Sequence, residues 1–326
     1  MKLLSSLLLL MVVGGVVPPA IADDTAEVQQ WLTRMSDALR SKNYDGTFIY
    51  QHDDVIDTMR IIHIVSDGAE RERLISLNGS AREVIRTNDS VTFIMPDKKT
   101  AWIDRRSPQA TFRLDLPMDL DTLSPFYKLT LGERSRVAGL MVQEVLIIPR
   151  DRYRRGYRLF LEIDTALPMS KEFMESNGEL LERILFTRLD ILESIDPRWV
   201  EPKVKGESYT WKIDSDETET GTDLRFSWRV KNVPVGFTVD ARHRRMSADR
   251  SSIREQLVFS DGLSSFSVYV EPLVSNTLEG HTSVGSISAF GSKDGQYQVT
   301  VVGEVPAHTV ELVGTSVIFN EENKLD

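Results

Sequence analysis

The apolar positions of this chain follow two different periods. From Asp24 to Arg40, the residues Val28, Trp31, Leu32, Met35 and Leu39 recur at helical spacing, with Asp24 and Glu27 placed to cap the first turn. The spacing predicts one amphipathic helix whose Trp31 side faces a core. After it, short runs of β-branched and aromatic residues alternate with turn dipeptides. Thr47–His52, Met59–Val65, Val91–Met95, Ala101–Asp104, Tyr157–Ile163 and Leu180–Phe186 are the clearest strands. Asp45-Gly46, Asp67-Gly68, Asn78-Gly79 and Asn177-Gly178 read as hairpin turns between them. Leu120, Leu123, Phe126 and Tyr127 suggest a short helix between Pro117 and Leu131. No regular alternation of strand and helix appears, which disfavours a doubly wound parallel sheet.

Pro197 and Pro202 bracket a stretch that runs into Asp214–Gly221, a polar acidic segment with little to bury, and residues 198–221 are read as the interdomain linker. Strand-like runs resume at Leu224–Val230, Leu257–Phe259, Phe266–Val270, Gln296–Val302 and Thr309–Val313, with turns at Asp261-Gly262 and Asp294-Gly295. The pattern therefore predicts a mostly β, α+β protein with a large domain over residues 23–197 and a smaller β-rich domain over residues 222–326.

The first 22 residues stand outside both patterns. Lys2 precedes an apolar run from Leu7 to Val17, and small residues occupy Ala20 and Ala22. These are the parts of an export leader, with cleavage expected after Ala22. The apolar run is too short to span a bilayer, so a soluble exported protein is expected. Composition sharpens this. The 326 residues include no cysteine, so in an oxidising compartment the fold must rest on ordinary core burial. With 39 basic and 49 acidic residues the net charge is −10, which argues against a nucleic-acid partner and makes clustered arginines conspicuous.

A search for chemistry finds no phosphate loop, no His-Glu-x-x-His and no nucleophile elbow. His52, His63, His243, His281 and His308 lack the spacing of a metal site. No catalytic residue, metal or cofactor is expected. Two basic clusters remain: Arg150, Arg152, Arg154, Arg155 and Arg158, interleaved with Tyr153 and Tyr157, and Arg242, His243, Arg244, Arg245 and Arg250 in a loop-like run. Each suits either an anionic partner or a solvated turn.

Several segments resemble one family. The run His63, Asp67, Gly68, Glu70, Arg71, Glu72 and Arg73, continuing through Leu77, Gly79, Arg82, Glu83, Val84, Ile85 and Arg86, is similar to the signature of the RseB/MucB family of periplasmic sigma-E regulators. So are Val137-Ala138-Gly139, Pro149-Arg150-Asp151 with Tyr153, Arg154, Gly156, Tyr157, Arg158 and Leu159, the run from Phe259 to Val270, and the run from Val299 to Pro306. Arg155 departs from the aromatic that the family pattern places before Gly156. The resemblance implies a large LolA-like domain, an unclosed antiparallel barrel with helices in its hollow, joined to a smaller β-rich domain. It also implies negative regulation of the envelope stress response. The protein would bind the periplasmic domain of a membrane-spanning anti-sigma factor and shield it from the site-1 protease. Lipid or lipopolysaccharide would relieve the block.

On such a frame Phe48, Tyr50, Trp102 and Phe160 become candidates for lining an apolar lipid groove, with plain core as the competing assignment. Arg242, Arg244 and Arg245 become candidate contacts to acidic side chains of the partner. A homodimer is left open. The main rival is a soluble periplasmic lipid or lipoprotein carrier, and an envelope hydrolase is a distant third.

Overall fold

The computed structural model describes residues 25–66, 68–104, 123–202, 209–213, 218–221, 224–246, 252–273 and 277–320. The leader, Asp24, Asp67, most of the helix anticipated from Pro117, and Arg250 lie outside these residues.

Helix α1 (Thr25–Ser41) forms where the spacing placed it and buries Val28, Trp31, Leu32, Met35 and Leu39. It is followed by β1 (Asn43–His52), β2 (Val55–Ser66), β3 (Ala69–Ser76), β4 (Glu83–Arg86), β5 (Val91–Met95) and β6 (Thr100–Asp104). Then come β7 (Tyr127–Val137), β8 (Leu140–Pro149), β9 (Gly156–Glu162), β10 (Pro168–Met174), β11 (Leu180–Leu192) and β12 (Thr210–Ile213). All twelve join one sheet in the order β12-β6-β5-β4-β3-β2-β1-β11-β10-β9-β8-β7. The order has two ends, so the sheet is open, as the family's architecture implied. Every pairing is antiparallel except that of β12 on β6. The side chains of α1 share one core with Phe48, Ile61, Leu74, Tyr157, Leu159, Leu161 and Phe186.

The smaller unit contains β13 (Thr218–Thr220), β14 (Trp228–Val230), β15 (Thr238–Met246), β16 (Ile253–Ser260), β17 (Ser265–Pro272), β18 (Gly280–Val284), β19 (Ile287–Asp294) and β20 (Tyr297–Gly303). Helix α2 (Ala307–Gly314) and β21 (Val317–Phe319) complete it. Its seven-stranded sheet runs β13-β15-β16-β17-β20-β19-β18, over a separate core that includes Phe259, Phe266, Val268, Val301 and Val310.

Four sequence expectations are corrected. Asp45-Gly46 lies inside β1, not in a turn. Asp45 is held there by a two-pronged bond from Arg60 at 2.7 and 2.8 Å, and a Cβ on Gly46 would come 2.6 Å from the Phe186 ring, so the glycine serves packing. Thr309–Val313 is helical: Pro306 starts the turn, and Val310 and Val313, three apart, both bury against β19 and β20. A short apolar run fits either period, and the neighbouring sheet decides. Tyr127–Leu131 is strand, where a helix was anticipated. Only Trp228–Val230 of the run from Leu224 is strand. The acidic linker is also more structured than its composition suggests. Arg198 and Trp199 sit in a 3-10 turn at Pro197–Val200, β12 extends the large sheet, and β13 extends the small one.

Candidate functional site

The turn between β8 and β9 carries the arginines singled out by sequence, and it forms because the Asp151 carboxylate accepts the Tyr153 amide at 2.8 Å. This aims Arg154 inward. Its side chain and that of Asp261 are both 0% exposed, and its Nη1 donates to Asp261 Oδ2 at 2.8 Å. The guanidinium lies 4.5 Å from the Phe126 ring and 4.9 Å from the Phe237 ring, and also donates to the Val235 carbonyl. Asp261 takes the Tyr127 hydroxyl at 2.9 Å and the amides of Leu263 and Ser264 at 2.9 and 2.7 Å. A buried ion pair survives only when its spare donors and acceptors are met in this way. Burial, reinforced by Asp261, raises the Tyr127 hydroxyl pKa, so it stays protonated as a donor. Gly262 sits at φ +94°, the left-handed conformation a tight turn needs, and the next residue, Leu263, enters the large domain's core.

Arg155 makes a second bridge. It pairs with Glu175 at 2.7 Å, donates to Ser288 Oγ at 3.1 Å, and reaches the Ser286 carbonyl. Thr309 Oγ1 donates to the Tyr153 carbonyl at 3.0 Å. Glu304, just after β20, is driven up in pKa by burial and by Glu182, against the opposing pull of Lys171 and Arg155. Tyr50 is likewise raised, by burial first and then by its bond to Glu182.

The sign of the Glu304 effect follows directly. A carboxyl whose folded pKa exceeds its unfolded one adds stability that is fully present below the unfolded value and is lost as pH rises through the raised folded value. Acidification from neutrality toward pH 5 therefore favours the docked junction at this position. Glu304→Gln should flatten that component, so the melting temperature of the wild type gains on that of the variant as pH falls. Parallel pH profiles would contradict it.

The five basic candidates do not form one exposed patch. Arg154 and Arg155 are buried in the junction, Arg158 pairs with Glu144, and only Arg150 and Arg152 are exposed. Arg242, Arg244 and Arg245 lie on β15, not in a loop. Arg244 bonds Glu255 at 2.8 Å and the Arg225 carbonyl at 2.8 Å, and Arg242 and Arg244 lie over the Phe226 ring at 5.9 and 5.6 Å. Arg245 alternates to the other face.

The four apolar candidates also divide. Directly opposed residues share a face, so the row Gly46, Ile61, Leu74, Val84, Phe93 and Trp102 runs across six strands on the side that α1 covers. Phe48 and Tyr50 lie on that same face. Phe48 is fully buried core, whereas the far end of the row is half-buried, with Phe93 and Trp102 stacked at 4.8 Å. Phe160 alternates with the core residues Leu159 and Leu161 and faces the other side beneath Arg158. The concave face thus unites three of the four. Sequence reasoning missed Tyr127, Asp261 and Glu304. Asp261 stood in a turn dipeptide and within the family-like run from Phe259 to Val270, and neither marked it as the partner of a buried arginine. Among the described residues no group of His, Asp and Glu suits a metal ion, and no helix is long and apolar enough to cross a membrane.

Comparison with known proteins accords with this architecture. Family models described as the MucB/RseB N-terminal and C-terminal domains match residues 27–204 and 222–318. The sigma factor AlgU regulatory protein MucB of Pseudomonas aeruginosa is 33% identical over 324 residues, covering 96% of each chain. The sigma-E factor regulatory protein RseB of Escherichia coli K12 is 24% identical over 88% of this chain and 89% of its own. The crystal structure of MucB in complex with MucA(peri) superposes with a TM-score of 0.68 at 29% identity, over 90% of this chain and 99% of that one. MucB alone gives 0.60 at 29% identity, over 90% and 98%. Matched over both domains, this chain belongs to the MucB/RseB family of sigma-factor regulatory proteins.

Proposed function

We propose that this chain is an exported, non-catalytic negative regulator of a sigma-E-type envelope stress response, acting in the periplasm after cleavage at Ala22. It binds the periplasmic domain of a membrane-spanning anti-sigma factor, denies the site-1 protease its substrate, and lets go when lipid or lipopolysaccharide binds. The observation that carries this is the likeness to MucB across both domains, including MucB crystallised in complex with MucA(peri). The division into a lipid-sensing unit at 23–197, a linker at 198–221 and a partner-binding unit at 222–326 belongs to the same proposal.

Lipid sensing needs no catalytic group. Burying acyl chain releases about 0.8 kcal/mol per methylene, and moving a two-state protein from almost wholly one form to the other takes about 5.5 kcal/mol of differential affinity. Roughly seven methylenes buried in one state only are enough. The half-buried Phe93–Trp102 end of the concave face supports this reading better than Phe48, which is already filled over. Lipid and partner must each weaken the other by the same factor.

The test is protease protection. The mature protein should shield a purified anti-sigma periplasmic domain from the site-1 protease, and added lipopolysaccharide should restore cleavage. Protein that carries lipid yet neither captures nor protects the fragment would make it a carrier instead.

A further inference from the structure

The wing made of β4, β5 and β6 has two different faces. Toward the hollow it presents Val84, Phe93 and Trp102, which alternate with residues that point to the back of the sheet. On that back, Ile85, Ile94 and Ala101 form a small buried cluster of their own, and the side chain packed over it is Tyr209. Among the described residues, no buried member of the main core comes from β4, β5 or β6, and Val84 is where the wing touches that core. The wing is therefore held by its backbone ladders and by what covers its back.

The cover is the segment between the domains. Just after β11, Ile195 and Val200 close over Ile62 and Ile64 on the back of β2. Arg73 of β3 donates to the Trp199 carbonyl at 3.0 Å, and its Nε lies 2.7 Å from Glu83 of β4, the two side chains being 4% and 9% exposed. Arg60 lies over the Trp199 ring at 5.5 Å. Farther along, Tyr209 seals the wing's cluster, the Thr210 amide donates to the Lys99 carbonyl at 2.9 Å, and β12 runs parallel on β6. The chain thus passes from the end of β11 to the far side of β6, and continues into the small sheet as β13.

We propose that residues 195–200 and 209–213 act as a back strap that carries the position of the β4–β6 wing to the small domain. A lipid seated against Phe93 and Trp102 then releases the partner by displacing the strap, without contact with the partner's own surface. This rests on the regulatory function above and adds the route from sensor to partner. The same three strands form the wall that lipid presses and the wall that the strap covers, so a shift of one face reaches the other. The two ends of the strap are held unequally. Residues 195–200 are fixed by the buried Arg73 and Val200, whereas β12 is a four-residue edge strand with one neighbour, so displacement is expected at β12. Whatever fixes β12 on β6 must then weaken the response to lipid.

The chain has no cysteine of its own, which allows a reversible lock. Thr100 and Thr210 are in register across β6 and β12, and adjacent strands lie roughly 4.8 Å apart, within reach of a disulfide. Full mature protein carrying Thr100→Cys and Thr210→Cys, once oxidised, should still protect the anti-sigma periplasmic domain from the site-1 protease. The lipopolysaccharide needed to restore half of the cleavage should rise by about tenfold or more, and reduction should return it to the wild-type value. Tyr209→Ala uncovers Ile85, Ile94 and Ala101 and should move the same value the other way, by about threefold. Oxidised protein that releases at the wild-type lipopolysaccharide concentration, or an unchanged value in Tyr209→Ala, would overturn the strap and leave the regulatory function standing. Wild-type protein that never protects the fragment, or protects it whatever the lipopolysaccharide, would remove the function on which the strap rests.

Discussion

Arg154→Ala is expected to cost about 3–5 kcal/mol, the loss typical of removing one partner from a buried ion pair. The deletion leaves the Asp261 carboxylate in a dry site with only Tyr127 and two amides to satisfy it, and it empties the space between Phe126 and Phe237. Arg154→Lys should rescue little of this, because an ammonium has neither the flat face to stack on Phe126 nor the fork that reaches Asp261 and Val235 together. The loss should be read by two methods, since a two-domain protein need not unfold in one step. Urea titration followed by tryptophan fluorescence gives the stability, and limited proteolysis between residues 198 and 221 reports undocking. A change under about 1 kcal/mol with an unaltered cleavage pattern would mean that the pair does not hold the domains together.

The second large effect is Phe48→Ala, expected to cost about 3–5 kcal/mol through lost burial and the cavity left behind. Phe48 is 0% exposed, its ring centroid lies 5.4 Å from that of Phe186, and α1 closes over it. Trp102→Ala should behave differently. Its ring is half-buried and stacks only on Phe93 among the described contacts, so its stability cost should be much smaller, while the lipopolysaccharide needed to restore cleavage of the anti-sigma fragment should rise. The two variants therefore separate core from sensor. Equal stability losses with unchanged lipid response in Trp102→Ala would remove that end of the face from the lipid site.

Periodicity made α1 legible to within a residue or so, because five apolar positions on one side of a helix have a single interpretation. Six of the twelve strands of the large sheet, β1, β2, β5, β6, β9 and β11, were legible from their β-branched and aromatic runs, whereas β3, β4, β7, β8, β10 and β12 were not read as strands. Thr309–Val313 was not, because three apolar residues in a run of five satisfy both periods until a sheet is placed beside them. Asp45-Gly46 looked like a turn because turn chemistry is local, while the demand for a missing side chain comes from Phe186, far along the chain. The site was less legible than the fold. Arg154 and Arg155 drew notice as charge, yet sequence carries no sign of burial, and their partners Asp261 and Ser286 lie more than a hundred residues away. Strand phase separated Phe160 from Phe48, and phase depends on registers that only the paired strands reveal.

The acidic segment between the domains contributes an outer strand to each sheet, with β12 ending at Ile213 and β13 starting at Thr218. Five Cα steps span at most roughly 17 Å even when drawn taut. The two bodies are therefore on a short leash, moored at both ends by ladders of backbone hydrogen bonds. Any swing wider than that slack must unzip one mooring, and a four-residue and a three-residue strand are the rungs that yield first.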